Sequence, residues 1–164
     1  MSTPGQKSLL EELKNSLTQA VPEGKIEETD YARTGYQLEV RLDQVGMRPV
    51  AQAMKEKRFY LETITALDYL DYFELVYLYS TYFQDFCRVK VRIRISREAT
   101  PLSIAAIYPA AIWLEREVYD FFGIRFQEHP DLKRIINPDW VDYYPLLKTF
   151  GKTKFTEEID DILC

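Results

Sequence analysis

Alternation of apolar and polar residues predicts strands that each bury one face. Over residues 36–43 and again over residues 86–96, apolar side chains occupy every second position. Successive strand residues point to opposite faces of a sheet, so a period of two is typical of a half-buried strand. Residues 73–82 are apolar or aromatic on both faces and predict a central strand covered on both sides. Residues 58–70 are rich in β-branched and aromatic residues, which favours extended structure.

Apolar residues at helical spacing predict amphipathic helices near residues 8–20 and 47–57. In the first, Ser8 followed by Glu11 matches a capping box, so Ser8 is the expected N-cap. Pro49 suits the first turn of the second helix. The apolar residues at helical spacing are Leu10, Leu13 and Leu17 in the first helix, and Met47, Val50, Ala51 and Met54 in the second.

The region after residue 99 predicts two more helices. Thr100 before Pro101 has the pattern of an N-cap and first helical residue, so a short helix is expected there. A second helix is predicted from Pro109 to Phe122, with Gly123 as its left-handed terminating residue. Arg116 and Asp120, four residues apart, are expected as an exposed ion pair on its polar face. The apolar face is formed by Leu114, Val118, Phe121 and Phe122.

Residues 127–150, here called the C-terminal strip, combine prolines with many bulky apolar groups. Pro130, Pro138 and Pro145 exclude long regular elements. Long unstructured loops are uncommon inside small domains, so these side chains must pack on their own sheet or along another protein. We therefore predict an α+β domain at 1–126, a partner-binding strip at 127–150 and an acidic tail at 151–164. The expected sheet is mostly antiparallel, with helices packed on one face.

Composition narrows the function classes. The chain has 164 residues, of which 46% are hydrophobic and 29% charged, which is typical of one globular domain. The formal net charge of −5 disfavours a nucleic-acid binder. An RNA-binding alternative rests on the basic face of the strand at 88–94, although a solvated sheet face explains the same charges. Those charges belong to Arg88, Lys90, Arg92 and Arg94.

Metal, redox and targeting signals are weak. Two cysteines and one histidine, without CxxC or HExxH spacing, give no metal-site pattern, and no cofactor-binding motif accompanies them. Cys87 lies within an alternating strand and is expected to be a small buried hydrophobe, with no pattern requiring a disulfide to Cys164. The N-terminus has no apolar core typical of a signal peptide, and no apolar run is long enough to span a bilayer.

An acid–base site is the catalytic alternative, built from Glu115, Glu117, Asp120 and His129. The two glutamates are two residues apart, so on a helix they point in nearly opposite directions and cannot form one dyad. Glu117 and Asp120, three residues apart, could form one. No nucleophile or metal pattern accompanies them, so no catalytic residues are expected.

Residues 115–135 read EREVYDFFGIRFQEHPDLKRI. They resemble the 30-kDa subunit of respiratory complex I, whose pattern is similar to ERExxDxFGIxFxxHPDLRRI, with Lys133 replacing its first arginine. The family's closing PLRKDF segment differs here, where Pro145 and Leu146 are followed by Leu147, Lys148 and Thr149. Membrane-bound hydrogenases and ferredoxin-linked complexes contain the same subunit type.

The resemblance implies a structural subunit without cofactors of its own. It would pack against the 49-kDa-type catalytic subunit and a neighbouring cluster-bearing subunit, near the quinone or equivalent site. It would be peripheral on the cytoplasmic side of an energy-converting membrane and contact that membrane only through the complex, with no nucleic-acid partner. The residues expected to form the partner-binding or structural motif are Glu115, Arg116, Glu117, Asp120, Gly123, His129, Pro130, Asp131, Leu132, Arg134, Trp140, Pro145 and Leu146.

Overall fold

A computed structural model describes residues 4–43, 46–82 and 86–151 of the chain. The fold is α+β, as predicted. The acidic tail and Cys164 lie outside the described residues, so those predictions stay untested. In chain order the elements are α1 (Pro4–Ala20), β1 (Lys25–Glu28), α2 (Tyr31–Thr34), β2 (Leu38–Asp43), α3 (Met47–Glu56), β3 (Tyr60–Asp68), β4 (Tyr72–Thr81), β5 (Cys87–Ser96) and α4 (Ala111–Phe122).

The five strands form one mixed sheet in the order β1-β2-β5-β4-β3. Three of its strand pairs are antiparallel, and β4 with β5 forms a hairpin. The pair β2–β5 is parallel, which departs slightly from the expected pattern. Parallel neighbours need a long crossover, and here α3, β3 and β4 provide it.

Within the described residues, the three long helices α1, α3 and α4 pack on the same face of the sheet. Alternate residues of β2, β5 and β4 point into a single core, where they meet the leucines of α1 and the methionines of α3. Helix α4 adds Val118 and Phe122 to the same core. The strands contribute Leu38, Val40 and Leu42, then Cys87, Val89, Val91, Ile93 and Ile95, then Phe73, Leu75, Tyr77 and Tyr79.

Three sequence-based predictions of local structure are wrong. Ser8 is not an N-cap, because α1 already begins at Pro4, a residue well suited to a first helical turn. No helix follows Thr100; instead Leu102 pairs with Gln127 in an isolated parallel bridge. Strand β4 is interior, as expected, but helices cover only one of its faces. Its other face, with half-buried Glu74 and Leu78, carries part of a charged network.

Candidate functional site

Helix α4 buries three of its charged residues. Glu115 and Asp120 are 0% exposed and Arg116 is 6% exposed. The predicted exposed Arg116–Asp120 pair is therefore wrong. The C-terminal strip folds back across this side of the helix and supplies Arg116 and Asp120 with separate partners. The four-residue spacing correctly placed Arg116 and Asp120 close together on the helix. It could not show that the C-terminal strip, which follows later in the sequence, covers them.

Asp120 organises the strip through five hydrogen bonds to its carboxylate. Oδ2 accepts from the backbone N–H groups of Ile135, Ile136 and Asn137, at 3.1, 2.7 and 3.0 Å. Oδ1 accepts from Arg134 Nη1 at 2.9 Å and from Asn137 Nδ2 at 3.1 Å. We call Asp120, Arg134 and Asn137 the Asp120 cluster. Three consecutive N–H groups on one oxygen hold the strip in a tight turn.

The surroundings of Asp120 favour its ionised form. Burial raises the pKa of the carboxyl, but the N–H groups of Ile136 and Asn137 and the Arg134 guanidinium outweigh it. The pKa of Asp120 therefore lies well below its usual range. Hydrogen bonds to a carboxylate stabilise the charged state, and here donors satisfy both oxygens.

Arginines connect the strip to α4 through carbonyl groups. Arg134 Nη2 donates to the carbonyls of Val141 and Tyr143, both at 3.0 Å. Arg116 donates from Nε and Nη2 to the carbonyls of Lys133 and Arg134, both at 3.1 Å. A guanidinium presents several donors in a fixed plane, so each arginine orders two strip carbonyls at once.

The end of α4 also fits closely against the strip. Gly123 terminates the helix at φ 77°, as predicted. A Cβ added there would lie 2.8 Å from Cε2 of Tyr144. The N–H of Leu146 donates to the carbonyl of Phe121 at 3.1 Å. Further along, the N–H of Lys148 donates to Asp68 Oδ2 at 2.9 Å, which ties the strip to the end of β3.

Glu115 and His129 form the other end of this helix–strip interface. The Nε2 of His129 lies 4.0 Å from Oε2 of Glu115, and both side chains are fully buried. Glu115 Oε1 accepts from the N–H of Ile104 at 2.8 Å. Burial raises the pKa of Glu115 to about 7. Hydrogen bonds from Ser103 and the Ile104 N–H, and the charge of Arg48, lower this pKa but do not outweigh burial.

The remaining motif residues are divided between covered and exposed positions. Leu132 is half-buried against the core. Glu117, Pro130 and Asp131 are exposed, and Asp131 pairs with Lys133 at 2.7 Å. Because Asp120 is occupied by the strip and Glu117 faces outward, the structure does not assemble the dyad of Glu117 and Asp120. Pro145 is partly covered.

Large apolar side chains of α4 and the strip nevertheless remain exposed. Trp140 is 84% exposed, Ile136 66% and Leu146 53%. On α4, Trp113 is 61% exposed, with the Arg116 guanidinium 4.7 Å from its ring centroid. We call Trp113, Ile136, Trp140 and Leu146 the apolar surface. The strip thus folds back on its own domain and still presents apolar groups outward.

The basic residues of β5 have partners within the chain. Arg88 pairs with Glu62 at 2.9 Å, and Arg92 pairs with Glu74 at 2.5 Å. Lys90 lies 3.7 Å from the buried Glu39 carboxylate. Arg94 lies over the ring of Tyr72, 3.8 Å from its centroid. These partners occupy the cations on which the RNA-binding alternative depended.

Cys87 behaves as the predicted buried hydrophobe. It is fully buried, and burial raises the pKa of its thiol to about 12. Among the described residues, no group of three or more His, Cys, Asp and Glu side chains could hold a metal ion. The same part of the chain contains no helix with the length and apolarity needed to cross a bilayer.

Sequence reasoning missed Asn137, Tyr144 and Asp68 as residues of this interface. Asn137 donates to both Asp120 Oδ1 and the Asp120 carbonyl. An Asn–Pro pair at 137–138 was a visible turn signal. Asp68 offered no comparable signal, because its partner Lys148 is far away in sequence.

Comparison with known proteins identifies similar chains. The family model described as respiratory-chain NADH dehydrogenase, 30 Kd subunit, matches residues 40–156. The C-type subunit of the NADH-quinone oxidoreductase from Parvibaculum lavamentivorans is 39% identical over 97 residues, which cover 57% of this chain and 48% of that protein. The corresponding protein from Trichlorobacter lovleyi is 45% identical over 96 residues, covering 55% and 58% of the two chains.

A more extended similarity is found in a eukaryote. The NADH-ubiquinone oxidoreductase subunit 9 of Dictyostelium citrinum is 29% identical over 162 residues, covering 92% of this chain and 76% of that protein. The chain spans about half the length of the bacterial relatives it matches. The family-model match includes α4, the Asp120 cluster and the whole C-terminal strip.

Proposed function

Because this chain belongs to the family of the 30 Kd subunit of the respiratory-chain NADH dehydrogenase, we propose that it is a structural subunit of a complex I-type oxidoreductase. It carries no redox group and sits in the peripheral arm of a membrane-bound, ion-pumping complex. Its neighbours are the 49-kDa-type catalytic subunit, near the quinone or equivalent site, and a cluster-bearing subunit. It lies on the cytoplasmic side and contacts the membrane only through the complex.

The main support for this proposal is that the backbone of the strip is held by hydrogen bonds while several of its apolar side chains are exposed. Asp120, Arg116 and Arg134 hold the backbone against α4. Trp140 and Ile136 nevertheless point away from the domain, 84% and 66% exposed. Exposed apolar groups on an ordered backbone are typical of a preorganised protein–protein interface, since less conformational entropy is lost on binding.

The motif residues then divide into two roles. Glu115, Arg116, Asp120, Gly123, His129 and Arg134 shape the strip from inside the chain. Trp140 and Leu146, two residues of the apolar surface, contact the partner directly. Glu117, Pro130, Asp131, Leu132 and Pro145 are proposed as its flanking contacts. Large aromatic residues commonly supply most of the binding energy at such interfaces.

Site-specific photocrosslinking tests this assignment. A photoreactive phenylalanine analogue replaces Trp140 in the tagged full chain, which is expressed in its native host and activated before the complex is purified. The expected product joins this chain to the 49-kDa-type subunit. The matched control places the analogue at Arg33, an exposed residue of α2, where no such product is expected.

Two outcomes would contradict the proposal at different levels. If the chain co-purified with the complex but position 140 crosslinked no subunit, the strip would not be the contact surface. If the chain purified without oxidoreductase subunits, the structural role itself would fail. The identities of the co-purified subunits also distinguish an NADH-linked complex from the alternative, a related membrane-bound hydrogenase or ferredoxin-linked complex.

A further inference from the structure

Glu115 is a buried carboxyl with only one of its oxygens satisfied. Its side chain is fully buried at the α4–strip interface. Oε1 accepts from the N–H of Ile104 at 2.8 Å, and the Ser103 hydroxyl also acts on the carboxyl. Oε2 has no hydrogen-bond partner among the described residues. A buried ionised carboxylate in this state is strongly disfavoured.

His129 lies nearby, but its hydrogen bonds define a neutral ring. Its Nε2 is 3.0 Å from the carbonyl oxygen of Ile112, which can only accept, so Nε2 carries the proton. Its Nδ1 is 3.1 Å from the N–H of Asp131, which can only donate, so Nδ1 is unprotonated. The ring therefore has no positive charge to offer the Glu115 carboxyl 4.0 Å away.

Among residues 4–43, 46–82 and 86–151, no other polar group around Glu115 is a directly bonded cation. Arg48 on α3 acts on it through its charge, but the guanidinium binds the Ser103 carbonyl at 2.9 Å and Glu128 at 2.7 Å. From the sheet side, Tyr77 and Tyr79 on β4 present buried hydroxyls that have no hydrogen-bond partner in the described part of the chain. Burial, with a smaller effect of the Glu115 charge, raises the pKa of Tyr77 far above its usual value.

We propose that Glu115 is a proton-binding site that links the seating of the C-terminal strip to pH. In the folded chain Glu115 holds a proton as a neutral acid, and the His129 ring bonds to the carbonyl of Ile112. When solvent base removes that proton, the new carboxylate attracts the Nε2–H of His129. The ring moves from Ile112 toward Oε2, and its bond to the N–H of Asp131 weakens. This site lies within the chain and is independent of the proposed partner.

The sign of the pH dependence follows from burial. Glutamate ordinarily titrates near 4.5, and burial raises the pKa of Glu115 to about 7 in the folded chain. Between these two values the folded chain binds a proton that the unfolded chain has lost. The free energy of unfolding therefore decreases as pH rises between these two values, and it no longer changes with the titration of Glu115 above them.

Carbon-13 NMR of the selectively labelled full chain tests the site directly. The Glu115 carboxyl resonance is expected to titrate with a midpoint near pH 7, above an ordinary glutamate at 4.5. Titration near the ordinary value would overturn the proposal. This measurement needs no substitution at Glu115, so it is decisive even if a variant fails to fold.

The Glu115→Gln variant provides a second test, because its amide is neutral at every pH. Relative to this variant, the unfolding constant of the unmodified chain is expected to rise about tenfold per pH unit between pH 5 and pH 6.5. Glu117→Gln, two residues away and exposed, is the matched control and should retain the wild-type slope. Equal slopes in the unmodified chain and Glu115→Gln would contradict the proposal.

Hydrogen exchange tests the link to the strip separately. The amide of Asp131 donates to His129 Nδ1. Above pH 7 it should exchange several-fold faster in the unmodified chain than in Glu115→Gln, with equal rates at pH 5. Equal rates at both pH values would show that proton binding does not reach the strip, which would overturn that half of the proposal.

Discussion

Glu115 and Asp120 are buried carboxyl groups five residues apart on the same helix, but the folded chain supplies them with different numbers of hydrogen-bond donors. Asp120 accepts from three backbone N–H groups and the Arg134 guanidinium, and the pKa of its carboxyl is lowered, despite burial, by the N–H groups of Ile136 and Asn137 and by Arg134. Glu115 receives the Ile104 N–H on one oxygen and, among the described residues, no donor on the other, and burial raises its pKa to about 7.

This contrast indicates that the number of hydrogen-bond donors, rather than the extent of burial, decides whether a buried carboxyl is ionised. The two ends of the helix–strip interface therefore differ in how completely their buried carboxyl groups are hydrogen-bonded. The Asp120 cluster is a charge-stabilised attachment that should resist neutral and basic pH. The end containing Glu115 and His129 is less fully bonded and is the part of the interface expected to respond near neutrality.

The largest expected effect is the loss of the Asp120 charge. Asp120→Asn replaces one acceptor oxygen with an NH2 group, so in either orientation one set of donors loses its acceptor, and Arg134 loses its carboxylate partner. Breaking a buried ion pair from one side costs about 3–5 kcal/mol, which we expect as the loss in free energy of unfolding by urea titration. The exposed control Glu117→Gln should change it by less than about 0.5 kcal/mol. Similar small changes in both variants would mean that Asp120 does not hold the strip.

Acid should remove the same stabilisation reversibly. The pKa of Asp120 is lowered from 3.8, so its contribution is complete above that pH and is lost as pH falls below it. Asp68 also has a lowered pKa, despite burial, through the N–H groups of Lys148 and Leu70 and the Arg97 charge. Unfolding measured from pH 5 to pH 2 should show a shallower decline in Asp120→Asn than in the unmodified chain. Glu115→Gln, by contrast, should alter the pH dependence of the free energy of unfolding only at higher pH. If Asp120→Asn and the unmodified chain lost stability equally between pH 5 and pH 2, this assignment to Asp120 would be contradicted.

Packing at the end of α4 should have an intermediate effect. Gly123→Ala combines φ 77° with a Cβ 2.8 Å from the Tyr144 ring. Gly35→Ala is a matched control, because its φ is 78° and nothing lies within 4 Å of the added Cβ. Both carry the left-handed backbone cost, and Gly123→Ala should lose a further ~1–3 kcal/mol from overpacking, measured by thermal or urea unfolding. Tyr144→Ala in the Gly123→Ala background should reduce that excess; equal losses at the two glycines would exclude the Tyr144 contact.

The smallest effect on stability is expected at the apolar surface. Trp140 is largely exposed, so Trp140→Ala should change the free energy of unfolding by less than about 0.5 kcal/mol. The same variant should lower recovery of the chain in the purified oxidoreductase complex. This would separate residues that shape the strip from residues that contact a partner. A large loss of stability, with unchanged recovery, would assign Trp140 to the fold instead.

Several parts of this protein were determined by local sequence alone. The alternation in β5 placed Cys87, Val89 and Val91 in the core, and Gly123 was correctly expected to end α4. The motif at residues 115–135 was sufficient to indicate the family. These features depend on period-two or helical spacing, on one left-handed residue, or on a contiguous motif, all of which lie within a short stretch of chain.

The tertiary structure decided how the charged residues of α4 are used. Sequence spacing placed Arg116 and Asp120 in an exposed pair, whereas the strip buries both and gives each a different partner. The strand β1 and the parallel pairing of β2 with β5 were likewise not predicted. In each case the deciding contact joins residues that helical or strand spacing does not relate. The ionisation of a buried carboxyl likewise depends on which donors the folded chain brings to it.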